Sequence, residues 1–122
     1  MKRVLVVDDD YELAGLLALA LYRAGYEVEV ASSGIAALER VRRAPVDLVL
    51  VDWNMPIMGG AAFLREWRRN GYRDAPPVVV MSGASDALEI ALQLGAAAVI
   101  AKPFRLDELE ALLLQVLDGP PR

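Results

Sequence analysis

The chain has no cysteine and no histidine. The first absence excludes a disulfide framework. The second removes the commonest general base and imidazole metal ligand. Basic residues are outnumbered, 13 Lys and Arg against 17 Asp and Glu, and the net charge of −4 argues against a nucleic-acid-binding surface as the chain's main business. The arginines that do occur, Arg40, Arg42, Arg43 and Arg65, Arg68, Arg69, fall near predicted helix ends, where they complement the dipole and read as solvated faces. No apolar run is long enough to span a bilayer: the longest mostly apolar stretch, Ile90 to Ala101, carries Gln93 and Gly95. Met1 to Val7 starts like a signal peptide, but Asp8, Asp9 and Asp10 end it at once. These absences predict a soluble, cytoplasmic chain with no membrane attachment.

What is present is apolar content, 56% of 122 residues, enough for one domain with a real core. Arg3 to Val7 is a short strand halted by the three aspartates. Leu13, Leu16, Leu17, Ala20, Leu21 and Ala24 recur at the helical period until Gly25. Tyr26 to Ala31 alternates apolar and acidic residues, a strand with one wet face. Ser32 or Ser33 can cap a second helix whose inward stripe is Ile35, Leu38 and Val41. Leu48 to Val51, continuously apolar, reads as a strand buried on both faces. It stops at Asp52, and Pro56 with Gly59-Gly60 then holds the next loop open.

Phe63, Leu64 and Trp67 mark a third helix, and Val78 to Met81 a fourth strand ending at Ser82-Gly83. Ser85 or Asp86 caps a fourth helix carrying Leu88, Ala91 and Leu92, closed by Gly95. Ala98 to Ala101 makes a weaker strand ended by Lys102-Pro103, and Leu106, Leu109, Leu113, Val116 and Leu117 form the inner face of a last helix. Residues 1–118 thus make one domain, with 119–122 a C-terminal tail or truncated linker.

Strands alternating with helices predict an α/β fold with a doubly wound five-stranded parallel sheet, since parallel strands need crossovers. Strands one and three are the most apolar and belong at the centre. The flavodoxin-like order 2-1-3-4-5, (βα)5, fits, with its crevice between them. That order sets Asp8 and Asp9 beside Asp52 at one sheet edge and brings Ser82 and Lys102 to the same region. Alone, Asp52 reads best as a turn residue closing a strand, Asp10 as an acid favoured at a helix N-terminus, and Lys102 as a surface lysine. Strand ends gathering three carboxylates, a hydroxyl and an ammonium read differently.

Two carboxylates ~4 Å apart repel by about 4 kcal/mol at an effective dielectric near 20, so a cation belongs with them. Lys102 supplies part of the charge, and hard oxygen ligands suit Mg²⁺, or Mn²⁺ in its place. Flavin or nucleotide binding needs a loop of backbone amides after strand one, whereas this loop is acidic and repels phosphate. With the metal, a phosphoryl group can be bridged between Mg²⁺, Lys102 and the Ser82 hydroxyl, leaving Asp52 as the nucleophile. A metal-dependent phosphatase on the same fold lacks a recognisable second carboxylate acid, although Asp8 could be pressed into that role.

The motifs Val-Val-Asp8-Asp9, Asp52-Trp-Asn-Met-Pro56, Ser82-Gly83 and Lys102-Pro103-Phe104, at these spacings, make the chain resemble a response-regulator receiver domain of the single-domain chemotaxis-regulator type, over essentially its whole length. The resemblance implies that Asp52 accepts a phosphoryl group from a phosphohistidine on a sensor histidine kinase or histidine phosphotransfer domain. Such a domain catalyses its own phosphorylation and dephosphorylation but is primarily a signalling module, acting as a monomer or a phosphorylation-dependent homodimer on a downstream target. Asp9, Asp52 and the Asn54 carbonyl would ligate Mg²⁺, with Asp8 acting largely through water. Lys102 and Ser82 would bind phosphoryl oxygens, Gly83 would leave room for them, and the Lys102-Pro103 bond would be cis. The lack of histidine fits, since the donor imidazole comes from another protein. Three positions depart from the family's pattern: Val99 stands where a switching aromatic is usual, the stretch from Ser82 to Gly95 is short, and Gly59 replaces a common acid. The first two motivate a rival reading, a receiver-like protein-interaction domain with muted or absent phosphorylation-dependent switching.

Overall fold

The computed structural model describes residues 1–69, 76–84 and 86–118. Five strands, β1 (Arg3–Val7), β2 (Glu27–Ala31), β3 (Leu48–Asp52), β4 (Val78–Ser82) and β5 (Ala98–Ala101), alternate with five helices. The helices are α1 (Tyr11–Arg23), α2 (Gly34–Arg43), α3 (Gly60–Arg69), α4 (Ala87–Gln93) and α5 (Leu106–Asp118). All strand pairs are parallel, in the order β2-β1-β3-β4-β5. The doubly wound α/β sheet expected from the sequence is the one observed.

Period-two alternation in the strands divides the core in two. Leu5, Val7, Val49, Val51, Val78 and Val80 face α2, α3 and α4, while Val4, Val6, Leu48, Leu50, Val79 and Met81 face α1 and α5. Every residue of β3 and β4 is buried, which is why those strands read as unbroken apolar runs. The acidic residues of β2 suit its place at a sheet edge.

Caps set the helix starts. Asp10 Oδ1 accepts from Leu13 N at 3.1 Å and Ser33 Oγ from Ala36 N at 3.1 Å, so Ser33 rather than Ser32 caps α2. Asp86 precedes α4 but makes no side-chain cap bond, and its rival Ser85 lies outside the described residues. Gly25 and Gly95 follow the C-caps of α1 and α4 at φ of 102° and 100°, where a side chain would be strained. The proposed tail, residues 119–122, also lies outside the described residues.

Several expected inward positions point outward. On α2, Ala37 and Leu38 are buried while Ile35 is exposed; on α4, Ala87 and Ala91 are buried while Leu88 and Leu92 are exposed. Leu16 and Leu106 are exposed too. A helix lying close on a sheet takes alanine at the contact and leaves the larger neighbours at its margins. Arg40 is not a solvated residue either: its side chain is 13% exposed, pairs with Glu29 and donates to the Ala44 carbonyl at 2.9 Å. Arg68 donates to the Gln93 carbonyl at 3.0 Å, at the C-terminal end of α4. Among the described residues no helix is long and apolar enough to cross a membrane.

Candidate functional site

Register brings the site together. Val7 pairs with Val51, so Asp8, the next residue, emerges beside Asp52 at the end of β3. Asp8 N donates to Ala31 O at 3.1 Å and Trp53 N to Met81 O at 2.8 Å, carrying the ladder one residue past each strand. Ser82 pairs with Ala101, and Lys102 N donates to Ser82 O at 2.8 Å, which delivers the lysine to the same edge. The Lys102-Pro103 bond is cis, as the resemblance implied.

Asp8, Asp9 and Asp52 each offer a carboxylate oxygen within 4.8 Å of the others. Lys102 Nζ stands 3.2 Å from Asp52 Oδ1 and 3.7 Å from Asp8 Oδ2. Two of the three carboxylates therefore share one ammonium. The Asp8 side chain is fully buried; its Oδ1 accepts from Asp10 N at 2.9 Å, but its Oδ2 has no hydrogen-bond partner. Burial above all pushes the Asp8 carboxyl above its ordinary value, with the charges of Asp52 and Asp9 adding to that. The Asp10 amide and Lys102 pull the other way. An orphaned buried carboxylate oxygen beside two more carboxylates is the donor set that a hard divalent cation satisfies, so the residues fit Mg²⁺.

Ser82 is buried, and its Oγ accepts from Ala84 N at 2.9 Å. Gly83 is exposed, and a Cβ there would meet nothing within 4 Å, so the packing of the chain does not itself demand glycine. Asn54, two residues past Asp52, is exposed. The five side chains singled out from the sequence, Asp8, Asp9, Asp52, Ser82 and Lys102, thus share one end of the sheet.

The loop after β3 corrects the reading of Gly59-Gly60 as a pair that holds it open. Gly60 begins α3, and its N–H donates to Trp53 O at 2.9 Å. A Cβ on Gly59 would lie 2.7 Å from Trp53 O, and one on Gly60 2.9 Å from Trp53 Cε3. The glycines let the loop close tightly over the strand end. Sequence reasoning also missed Gly34: a Cβ there would lie 2.7 Å from Met58 Cγ, so this glycine seats the loop on the start of α2. A glycine directly after the Ser33 cap, where a better helix former would serve, was the available signal.

Known proteins share this fold and much of this sequence. The family model of the response regulator receiver domain matches residues 4–114. A response regulator receiver protein of Anaeromyxobacter is 40% identical over 109 residues, covering 89% of this chain and 46% of that protein. The transcriptional regulatory protein QseB of Escherichia coli is 37% identical over 114 residues, covering 91% of this chain and 51% of QseB. The chain therefore spans about half the length of these relatives. The structure of the chemotaxis protein CheY4 of Vibrio cholerae superposes with a TM-score of 0.88 at 31% identity, covering 96% of this chain and 99% of that one. Sheet order, family match and relatives agree, and the chain belongs to the response regulator receiver domains of two-component signalling.

Proposed function

We propose that Asp52 is a phosphoacceptor, taking its phosphoryl group from a phosphohistidine of a sensor kinase or phosphotransfer protein in the cytoplasm. The observation that carries this is the Lys102 ammonium held 3.2 Å from Asp52 within a trio of carboxylates. An Asp52 carboxylate oxygen attacks phosphorus, the P–N bond to the donor imidazole breaks, and an acyl phosphate forms. Water later attacks that phosphorus, releasing inorganic phosphate and restoring the carboxylate. Lys102 neutralises charge on the transferring oxygens and holds the Asp52 carboxylate in place. The Ser82 hydroxyl already accepts from Ala84 N, so its own hydrogen is free to donate to a phosphoryl oxygen.

Asp8, Asp9 and Asp52 with the Asn54 carbonyl would hold Mg²⁺, which when bound supplies the positive charge that lets two anions approach. Residues 1–118 would serve as the receiver unit, without direct nucleic-acid or membrane contact. The reading limited to partner binding has no feature of this geometry behind it, since all five site side chains are kept together.

Two tryptophans make the test convenient. Trp53 adjoins Asp52, while Trp67 is buried and stacks on Phe63 at 5.6 Å, a constant background. Mg²⁺ followed by acetyl phosphate should change the emission and add one phosphoryl mass. Asp52→Asn should show no added mass. Labelling that survives this substitution, or steady release of phosphate from many monoesters, would sink the proposal.

A further inference from the structure

The first helix departs from the rule that a surface helix turns a polar face outward. Between Glu12 and Arg23 the sequence of α1 holds no charged residue, and Tyr22 supplies the one polar side chain. Ala14, Leu17 and Leu21 are buried in the core, yet the opposite face is apolar as well: Leu16 is 64% exposed, Leu19 48% and Tyr22 67%. A helix that is apolar all round belongs in an interior, and α1 lies on the surface. The other surface helices do not share this character. The exposed residues of α2 and α3 include Glu39, Arg42, Arg65 and Arg69.

Charge and spacing on that face say what covers it. Glu12, Leu16, Leu19 and Arg23 follow at intervals of four, three and four residues, which sets them in one line along the helix, and all four are exposed. The line reads acid, leucine, leucine, base. Turned end for end it reads base, leucine, leucine, acid, so it complements itself in the antiparallel sense alone. Two copies of α1 laid antiparallel would set Glu12 of each against Arg23 of the other, twice over by symmetry, and Leu16 of each against Leu19 of the other. Among the described residues neither Glu12 nor Arg23 forms an ion pair within the chain. Each charge suits its own end of the helix dipole, but the dipole gives no reason for the leucines between them. A membrane surface is a poorer match, since it favours Lys and Arg beside the apolar face, whereas α1 has one arginine and the chain a net charge of −4. We propose that α1 is the surface on which two copies of this chain pair, antiparallel about a two-fold axis between Leu16 and Leu19. None of the four residues belongs to the site around Asp52, so the pairing needs no phosphoryl group.

One helix from each copy makes a small interface of the weak, transient class, so the pairing should depend on concentration. The test is sedimentation equilibrium of the full chain over about 5–500 µM, in EDTA and without a phosphodonor. Wild type should move from the monomer mass toward twice that mass. Glu12→Arg alone and Arg23→Glu alone each turn both end pairs repulsive, and each should weaken the pairing about tenfold or more. Mixed in equal amounts, these two variants should associate again, because both end pairs then join opposite charges across the two chains. Leu19→Gln should weaken the pairing with every charge in place, and circular dichroism melts check that each variant is folded. A wild type that stays monomeric at about 500 µM would overturn the proposal. Pairing that survives both charge swaps and Leu19→Gln would assign the contact to another face and overturn it too. Variants that dissociate singly but do not associate when mixed would refute the antiparallel register. A monomeric wild type that sediments with phosphatidylglycerol vesicles, as Leu19→Gln does not, would give the face to a membrane instead.

Discussion

Replacing Asp8 with asparagine should reverse the order of stability between wild type and variant, depending on whether a divalent cation is present. At an effective dielectric near 20, the Asp52 carboxylate within 4.8 Å of Asp8 costs at least about 3.5 kcal/mol, and the Lys102 ammonium at 3.7 Å offsets about 4.5 kcal/mol. These two terms nearly cancel; the exposed Asp9 carboxylate, also within 4.8 Å, adds repulsion, and burial adds to the cost in the same direction. An Oδ2 without a hydrogen-bond partner carries a penalty of about 1–3 kcal/mol. The substituted asparagine would lack the charge while its amide oxygen could still accept from Asp10 N. Without metal, Asp8→Asn should be more stable by about 1 kcal/mol, or about 4 °C in Tm. With Mg²⁺ at a hundred times its Kd, wild type gains about 2.7 kcal/mol and the variant less, so wild type should melt higher. The raised Asp8 pKa adds a pH signature. Folding favours protonated Asp8, so this contribution is full below the ordinary aspartate range and lost as pH rises through the raised folded value. The metal-free advantage of Asp8→Asn should therefore grow with rising pH and shrink in acid. Melts followed by circular dichroism, in EDTA and in Mg²⁺ at several pH values, read all three effects. A variant that is less stable in EDTA, or a wild type indifferent to Mg²⁺, would refute the electrostatic argument.

Two further substitutions probe the scaffold. Gly15 lies inside α1, where an added methyl group meets nothing within 4 Å, so Gly15→Ala should stabilise by about 0.5–1 kcal/mol without altering acetyl phosphate labelling. A lower Tm would show that the glycine is needed for packing. Gly59→Ala drives a Cβ to 2.7 Å from the Trp53 carbonyl, a backbone atom that cannot swing aside, and should cost about 1–3 kcal/mol, shift Trp53 emission and weaken its response to Mg²⁺. Unchanged melting and emission would mean that the loop absorbs the clash.

The strands, their order and the site cluster were legible because each has a local or fold-level signature. A fully buried strand must be apolar throughout, and crossover rules then place its polar end residue at a shared edge. The helix faces were less legible. Hydropathy ranks Leu88, Leu92 and Ile35 above alanine, yet Ala87, Ala91 and Ala37 take the contact because the helices lie close to the sheet. Arg40 was misread because its partner Glu29 is on another element, eleven residues away. The seat of Met58 on Gly34 and the positive φ of 70° at Ile57 depend on contacts that no periodicity encodes.

Burial also divides roles among three aspartates that the sequence presents as equals. Asp8 is fully enclosed, so a donor cannot reach it, and its orphaned oxygen makes it the member with most to gain from a cation. Asp9 is exposed and makes no ion pair with Lys102 among the described residues. Asp52 combines partial exposure with the shorter approach to the ammonium, 3.2 Å against 3.7 Å. A nucleophile needs both properties, because phosphorus must arrive in line with a carboxylate oxygen whose charge is already matched. Of the three, Asp52 alone has both, which makes it the strongest choice of acceptor on physical grounds independent of any relative.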